Sequence, residues 1–230
     1  HVTLAAPTVI VLAYGNNESF SGQAGLRAFV NDYNRLLDAL QRHTKRIVLM
    51  SPVPVEQVDP PLPDLSHVNK LRKLYTDAVQ RLAERRGLCF IDVFHPMLER
   101  MAEGDRLTDN GVHLNERGYR ALAEVIERAW FGAVRRPPGL TPQLEDRLRE
   151  LVRRKNEFFF HQYRPQNETY LRGFRKHEQG RNARELPQFA PLIERTEQQI
   201  FTLLAASDKL RDERNTAPSS TPSSPSGKRP

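Results

Sequence analysis

Several kinds of residue and pattern are scarce in this sequence, and each shortage excludes something. Cys89 is the only cysteine among the 230 residues, so the chain can form no internal disulfide and no metal site made of several cysteines. No apolar run approaches the ~18 residues that a membrane-spanning helix needs. The hydrophobic content of 38% and the mean hydropathy of -0.62 are low for a compact α/β domain. We therefore expect part of the chain to be exposed or extended.

Charge is unevenly distributed along the chain. The formal net charge is +7, yet residues 1–131 carry 16 basic and 16 acidic side chains. The remaining residues carry 19 basic and 12 acidic side chains, which is the whole of the excess. A change in charge of this kind, near residue 131, is typical of a domain boundary.

Three short apolar runs predict β-strands. Residues 8–14 are apolar and β-branched without alternation, which is typical of a strand buried on both faces in a parallel sheet. Residues 47–50 and 88–93 are the second and third runs. Apolar residues recur at the three- and four-residue spacing of amphipathic helices over residues 26–40, 68–82 and 119–130.

Start and stop signals mark the ends of the second of these helices and the start of a further short one. The second is expected to begin at a cap provided by Asp64 or Ser66 and to end at Gly87. A short helix is expected to open at Pro96, because proline is well tolerated in a first turn.

The alternation of strand and helix predicts a three-layer, flavodoxin-like α/β fold with a parallel sheet. Sites in such sheets lie beyond the carboxyl ends of the strands. The loops that begin at Gly15 and Ser51, and the turn before His113, should share that edge. Three strands make a thin sheet for helices on two faces, so we expect further strands N-terminal to this chain. A start at His1 without the features of a signal peptide is also typical of an internal piece of a longer protein.

The rest of the chain predicts helices and a tail. Residues 135–139 have the composition of a linker, and Thr141 should cap a helix that has Pro142 in its first turn. A stretch rich in aromatic and charged residues follows at 156–177, before a last helix from about residue 185 to 210.

These patterns predict three parts. Residues 1–131 form an α/β domain, and residues 132–214 form a basic, aromatic-rich helical extension. Residues 215–230 are rich in proline and serine, cannot bury apolar surface and are expected to be disordered.

The stretch from Leu107 to Tyr119 contains the first candidate for chemistry. Asp109 and His113 lie on either side of a glycine turn, directly before a predicted helix. A histidine set by a turn, with a carboxylate beside it, has the arrangement of a general base and its orienting acid. The same residues also have an ordinary explanation as a surface turn followed by Asn115 as a helix cap.

A second motif strengthens the interpretation of His113 as a general base. Gly15, Asn17 and Glu18 follow the first predicted strand, and together with His113 they resemble the SGNH (GDSL-like) hydrolase superfamily. Its third block is Gly-x-Asn-Asp, here with Glu18 in place of the aspartate, and its fifth block is Asp-x-x-His. The resemblance covers roughly residues 7–131. The stretch at 158–184 is similar to the extension of planctomycete-type, bacterial members.

The resemblance implies an ester hydrolase. Asn17, with Gly15, would form the oxyanion hole, and the Asn17 amide would be worth roughly 3 kcal/mol to the transition state. His113 would take the proton from a serine hydroxyl. The substrate would be a small-molecule or carbohydrate ester, for example a carbohydrate acetyl ester, with no cofactor and no metal. A secreted or periplasmic location would be in keeping with the resemblance, although the sequence leaves the compartment open.

The sequence departs from the family pattern in two ways. No Gly-Asp-Ser block occurs, so the nucleophile is expected upstream, and Ser19, Ser21 and Ser51 are interpreted as ordinary loop residues. Asn110 stands three residues before the histidine, where the family has aspartate. Three alternatives remain: Asp109 substitutes through a wider turn, which we favour, the site is a Ser-His dyad, or it is impaired.

Two other functions compete with the esterase. The basic C-terminal part mixes Arg and Lys with Tyr and Phe, which suits nucleic acid or another anionic polymer. Acidic residues are interspersed throughout, however, and packing explains the aromatic residues equally well, so nucleic acid is not expected as a partner. A non-catalytic scaffold of the same fold is the other possibility. The sequence gives no oligomeric state.

Overall fold

The computed structural model describes residues 2–58, 65–104, 106–132, 140–164, 168–178 and 182–216. It divides the chain into two compact units, His1–Val134 and Arg135–Pro230. The predicted linker at 135–139 and the Pro/Ser tail after residue 216 lie outside the described residues, as does Asp64, one of the two predicted helix caps.

The first unit alternates strands and helices in the predicted order. In chain order its elements are α1 Val2–Ala5, β1 Ile10–Leu12, a 3-10 turn at Glu18–Ser21, α2 Gly22–Leu40, β2 Ile47–Met50, α3 Ser66–Arg86, β3 Cys89–Ile91, α4 Phe94–Ala102 and α5 Glu116–Phe131.

The strands form a parallel sheet in the order β1-β2-β3. Val48 at the centre pairs with Val11 on one side and with Cys89 on the other. All strands therefore end at the same edge, which confirms the predicted α/β class and the edge at which the loops should meet.

Two apolar cores cover the two faces of this sheet. Successive side chains of a strand point to opposite faces, and β2 divides its residues accordingly: Ile47 and Leu49 pack in one core, Val48 in the other. The first core also contains side chains of α2 and α3, and the second contains side chains of α4 and α5. The sheet thus lies between two layers of helices, α2 and α3 on one face and α4 and α5 on the other, which is the predicted three-layer arrangement.

The prediction that the first strand is buried on both faces is wrong. Val9 is 37% exposed and Val11 is 44% exposed, whereas Leu12 is buried. The reason is that β1 is an edge strand of the described sheet, with β2 on one side only. Tyr119, expected on the apolar face of α5, is also exposed, at 63%.

Two predicted helix starts differ from the structure. Helix α3 begins at Ser66 after Leu65 at the N-cap position, without a side-chain cap, and α4 begins at Phe94, two residues before Pro96.

Local signals set several other helix ends as expected. Gly87 adopts a left-handed conformation with φ 60° and terminates α3. The Asn115 side chain accepts a hydrogen bond from the Gly118 amide, at 3.0 Å, and caps α5. Thr141 caps α6 through the Leu144 amide, at 3.3 Å.

The second unit is built on a pair of long helices. Its elements are α6 Pro142–Tyr163, α7 Glu168–Leu171, 3-10 turns at Asn182–Arg184 and Leu186–Gln188, and α8 Phe189–Thr216. Lys155 on α6 lies 3.3 Å from Glu197 on α8, and Leu151 and Ile200 are buried. No helix in the described part of the chain is both long and apolar enough to cross a bilayer.

Truncation of Leu49 should destabilise the first unit far more than truncation of Val11. Leu49 is fully buried in the central strand, so Leu49→Ala is expected to cost about 2–5 kcal/mol of unfolding free energy. Val11→Ala removes a half-exposed side chain and should cost about 1 kcal/mol or less. Urea denaturation followed by circular dichroism measures both. Equal losses would contradict the assignment of β2 as the centre of the core.

Candidate active site

Three loops meet at the carboxyl edge of the sheet. The loop after β1, residues 15–18, is the glycine loop. The extended stretch after β2 contains residues 53–56, which we call the clamp segment. Residues 107–115, between α4 and α5, are the histidine loop. Each is fixed by specific hydrogen bonds.

The glycine loop turns sharply as it leaves β1. Gly15 is buried with φ +116°, and a Cβ atom there would lie 2.8 Å from the Pro52 ring, so only glycine fits without strain. Its amide donates to the Glu18 carboxylate at 2.8 Å. Glu18, at the position of the family's aspartate, therefore closes the loop on itself.

Asn17 is the exposed residue of this loop. Its backbone carbonyl accepts a hydrogen bond from Phe20 at 3.1 Å. Its side chain has no hydrogen bond to any residue that the structure describes. The Asn17 amide is thus available to an external acceptor.

The clamp segment joins the other two loops. The Val53 amide donates to the Asn16 side-chain oxygen at 3.0 Å, which ties the clamp segment to the glycine loop. The Glu56 amide donates to the Gly111 carbonyl at 2.8 Å, which ties it to the histidine loop. Four extended residues span at most about 14 Å. Both loops are therefore fastened to the same short piece of backbone.

The Glu56 carboxylate is the strongest of these ties. Glu56 is 6% exposed and accepts the backbone amides of Leu107, at 2.9 Å, and Thr108, at 2.8 Å. It also accepts the Thr108 hydroxyl in a short hydrogen bond. A buried carboxylate is tolerated only when its lone pairs are satisfied, and here the histidine loop satisfies them.

Helix α3 supports the clamp segment from behind. Asn69 donates to the Val55 carbonyl at 2.7 Å and accepts the Val55 amide at 2.8 Å. Arg72, one turn later, donates to the Val53 carbonyl. Burial lowers the pKa of Arg72 to about 10, so the guanidinium remains charged at neutral pH and makes a charge-assisted bond.

The histidine loop is a tight hairpin. Thr108 and Leu114 form an antiparallel bridge, and the Asp109 amide donates to the His113 carbonyl at 2.9 Å. Gly111, at its tip, has φ +82°, and a Cβ there would lie 2.8 Å from the Glu56 carbonyl oxygen. The hairpin leaves the His113 side chain exposed.

Asn110 is the residue that contacts the imidazole. Its Oδ1 accepts the backbone amides of Val112, at 3.2 Å, and His113, at 2.9 Å. Two donors fix that atom as the oxygen, so the NH₂ group is the one 3.0 Å from His113 Nδ1. Oδ1 also lies 3.2 Å from Nδ1 and can accept a proton there, whereas the closer NH₂ group favours the neutral tautomer with its proton on Nε2, which is the wrong one for a general base at Nε2.

Asp109, which we favoured as the orienting acid, is exposed and does not hydrogen-bond to the imidazole among the described residues. Its backbone carbonyl accepts the Arg106 guanidinium at 2.6 Å. A role for the Asp109 carboxylate would require the turn to rearrange, and it stays a prediction.

The loop serines have structural partners. Ser19 is fully buried and donates to the Asn16 carbonyl at 2.7 Å. Ser51 is 1% exposed and accepts the amides of Val93, at 2.8 Å, and Phe94, at 2.9 Å. Both hydroxyls hold loops together.

A second histidine also lies at the carboxyl edge. Asp92 follows β3, and its carboxylate lies 2.7 Å from Nδ1 of His95 in the first turn of α4. The other carboxylate oxygen accepts the Phe94 and His95 amides. The spacing from Asp92 to His95 is a literal Asp-x-x-His, a signal that the sequence contained and that we overlooked. Among the described residues, no group of three or more His, Cys, Asp and Glu side chains could hold a metal ion.

Sequence reasoning also missed Asn16, Glu56 and Asn69. Glu56 lies in a proline-rich stretch where nothing in the local pattern marks it as buried, and its partners are about fifty residues away. Its role becomes visible only in the structure, where its carboxylate accepts backbone amides of the histidine loop.

Comparison with known proteins gives a family match. The model of the GDSL-like lipase/acylhydrolase family matches residues 1–121, more than half of the chain. Among curated proteins, none matches.

Solved structures give weaker matches. A catalytic mutant of an acetylxylan esterase from Geobacillus stearothermophilus is 18% identical with a TM-score of 0.46, over 56% of this chain and 61% of that chain. An α/β hydrolase enzyme, LAE5, from the metagenome of Lake Arreo, Spain, is 18% identical with a TM-score of 0.47, over 58% and 64%. The chain therefore spans less than two thirds of the length of these proteins.

Replacing Glu56 by glutamine should loosen the histidine loop locally. Glutamine has one acceptor oxygen for the two buried amides of Leu107 and Thr108, so one is left unpaired at a cost of about 1–3 kcal/mol. Hydrogen exchange should accelerate at these amides and not in β2. Glu18→Gln is the matched control, because a single oxygen satisfies Gly15. Unchanged protection at residues 107 and 108 would contradict the role of Glu56.

Proposed function

The chain belongs to the GDSL-like lipase/acylhydrolase family, and we propose that it forms part of a serine ester hydrolase. In this proposal His113 is the general base and the Asn17 side chain stabilises the oxyanion, while Gly15, whose amide is already bound to Glu18, forms the turn that precedes Asn17. No cofactor takes part. The proposal extends the family assignment to individual residues and to a reaction.

One observation carries the proposal: the glycine loop and the histidine loop are both hydrogen-bonded to the clamp segment. An acyl-transfer site needs a base on one side of the carbonyl carbon and a donor to its oxygen on the other. Asn17 and His113 are exposed side chains of these two loops, as are Asp109 and Asn110, and of these Asn17 provides the amide donor and His113 the base.

The reaction would follow the general scheme for serine esterases. Nε2 of His113 takes the proton of the serine hydroxyl as its oxygen attacks the ester carbon. The Asn17 amide donates to the developing oxyanion, a contribution worth roughly 3 kcal/mol. The imidazolium then returns its proton to the leaving alcohol, and water releases the acid by the same steps.

The nucleophile is proposed to be a serine outside residues 1–230. Ser19 and Ser51 are buried and engaged in structural hydrogen bonds, and Ser21 is the first-turn cap residue of α2. Val11 on β1 and Val9 just before it are partly exposed, and β1 has one unpaired edge in the described sheet. A further parallel strand at that edge would widen the sheet beside these side chains and would end beside the glycine loop, and we propose that it carries the serine.

The proposed substrate is a small ester, with an acetyl group on a carbohydrate as the leading case. This choice rests on the family resemblance. A series of activated esters with acetyl, butyryl and longer acyl groups would test it, and we expect the acetyl ester to have the largest kcat/KM.

Mutation of the two histidines separates the proposed base from its neighbour. In the longer protein that includes the upstream segment, His113→Ala should lower kcat for an activated acetate ester by ~10²–10⁴-fold, because general base catalysis is lost. His95→Ala, the matched control, should change kcat less than about threefold. Loss of activity in His95→Ala alone would transfer the role of base to the Asp92–His95 pair. Equal rates for both variants and the wild type would overturn the proposal.

Mutation of Asn17 tests the oxyanion hole. Asn17→Ala is expected to reduce kcat by ~10²-fold with little change in KM, because the amide acts mainly on the transition state. Asn31→Ala, at an exposed position of α2, is the control and should behave as wild type. A wild-type kcat for Asn17→Ala would show that another group binds the oxyanion.

A further inference from the structure

The tip of the histidine loop contains the only Asn-Gly dipeptide in the sequence, Asn110-Gly111. In such a dipeptide, the glycine amide nitrogen can attack the side-chain carbon of asparagine. The product is a succinimide ring, and ammonia leaves. Glycine obstructs this attack least because it has no Cβ.

We propose that Asn110 is a self-modification site, at which the folded histidine loop converts asparagine to aspartate. The structure supplies a group for each part of the reaction: donors to the electrophile, an acid for the leaving group and a relay for the nucleophile's proton.

The electrophile is the Asn110 side-chain amide. Its Oδ1 accepts backbone N–H groups from Val112, at 3.2 Å, and His113, at 2.9 Å. When the carbon becomes tetrahedral, negative charge develops on this oxygen. Two fixed N–H donors aimed at it form an oxyanion hole. They also fold the side chain over Gly111.

The leaving group lies beside an acid. Nδ2 of Asn110 is 3.0 Å from Nδ1 of His113. Amide nitrogen is a poor leaving group until it is protonated. When the imidazole is protonated, its Nδ1–H can donate to this nitrogen, which becomes an amine in the tetrahedral intermediate, and so lets it depart as ammonia.

The nucleophile lies at the end of a proton relay. The Gly111 amide donates to the Thr108 hydroxyl at 2.9 Å. That hydroxyl donates to the buried Glu56 carboxylate in a short hydrogen bond. As the Gly111 nitrogen attacks, its proton can pass to Thr108 while the Thr108 proton passes to Glu56.

The steps balance. The bond from the Gly111 nitrogen to Cγ of Asn110 forms, and the Cγ–Nδ2 bond breaks. One proton moves from Gly111 through Thr108 to Glu56, another moves from His113 to the leaving nitrogen, and ammonia departs. Water then attacks Cγ of the succinimide and the new N–Cγ bond breaks. The Gly111 nitrogen recovers its proton from Glu56 through Thr108, the proton released by the water returns to His113, and aspartate is left at position 110. Attack at the main-chain carbonyl would give isoaspartate instead.

The product has a consequence for catalysis, and this part rests on the proposed function. A carboxylate at 110 presents only acceptor oxygens to Nδ1–H of His113, whereas the present amide places an NH₂ donor at 3.0 Å beside its acceptor oxygen at 3.2 Å. It would hold the tautomer whose Nε2 is free to act as a base. The loop would then contain the Asp-x-x-His spacing of the family.

Mass spectrometry tests the modification directly. The purified 230-residue chain is incubated at neutral pH in H₂¹⁸O, and peptides that contain residue 110 are followed. We expect a gain of one ¹⁸O carboxylate oxygen with aspartate as the main product. The rate in the folded chain should exceed that in the same chain in urea at least ~10-fold, a small part of what positioned acid and base groups provide. A folded rate equal to or below the denatured rate, or mainly isoaspartate, would overturn the proposal.

Variants test whether groups of the histidine loop catalyse the conversion of Asn110 or whether exposure of Asn110 to water is enough. Thr108→Val removes the relay hydroxyl and leaves the Glu56 carboxylate bonded to both backbone amides, so the rate should fall about tenfold or more. His113→Phe should slow the reaction similarly. Asn110→Gln should not react and controls for other changes in the peptide. If both Thr108→Val and His113→Phe convert Asn110 at the wild-type rate, the mechanism is overturned. Two variants are used so that the test still holds when one of them folds poorly.

Esterase assays of the proposed longer protein distinguish a failure of this proposal from a failure of the proposed function. Esterase activity should rise in step with the aspartate fraction, and Asn110→Asp should be fully active from the start. If Asn110 is converted but neither the Asn110 protein nor Asn110→Asp has esterase activity, the proposed function is contradicted and the modification still holds. Equal activity of fresh Asn110 protein and Asn110→Asp would sink the maturation step and leave the esterase intact.

Discussion

The candidate site depends on one buried carboxylate. Glu56 holds two backbone amides and a hydroxyl of the histidine loop, while its own amide binds the tip of that loop. Three residues earlier, Val53 is bound by Asn16 of the glycine loop, and Asn69 and Arg72 of α3 hold the backbone from behind. A short extended segment thereby fixes two loops that are almost a hundred residues apart in sequence. Catalytic geometry requires such rigid support, because small displacements of a base or donor reduce rates strongly.

Much of the architecture could be predicted from local patterns. Apolar runs and helical spacing located the strands and helices, and the parallel order follows from their alternation. The burial of β1 was mispredicted because an apolar run indicates a strand but not whether both of its edges are paired. Tyr119 illustrates the same limit on a helix: spacing identifies a face, but the polar hydroxyl allows a ring at its margin to remain in solvent.

The candidate site was only partly accessible to sequence reasoning. Gly15, Asn17 and His113 are found by their motif spacing, whereas the partner of the imidazole depends on turn geometry. The hairpin directs Asn110, not Asp109, to Nδ1, because Oδ1 of Asn110 caps the two amides that follow the turn. Long-range partners such as Glu56 leave no local signal at all. Asn110 therefore stands where the family has an acid, with its Oδ1 held by the backbone amides of Val112 and His113.

The central claim is that Asn17 and His113 act on the same substrate carbonyl. The most direct measurement is a crystal structure of the proposed longer protein after reaction with an alkyl fluorophosphonate, whose phosphonyl oxygen mimics the oxyanion. We expect a serine adduct with that oxygen about 2.7–3.1 Å from the Asn17 side-chain nitrogen and the His113 imidazole beside the serine oxygen. An adduct that has neither Asn17 nor His113 within contact distance would contradict the account.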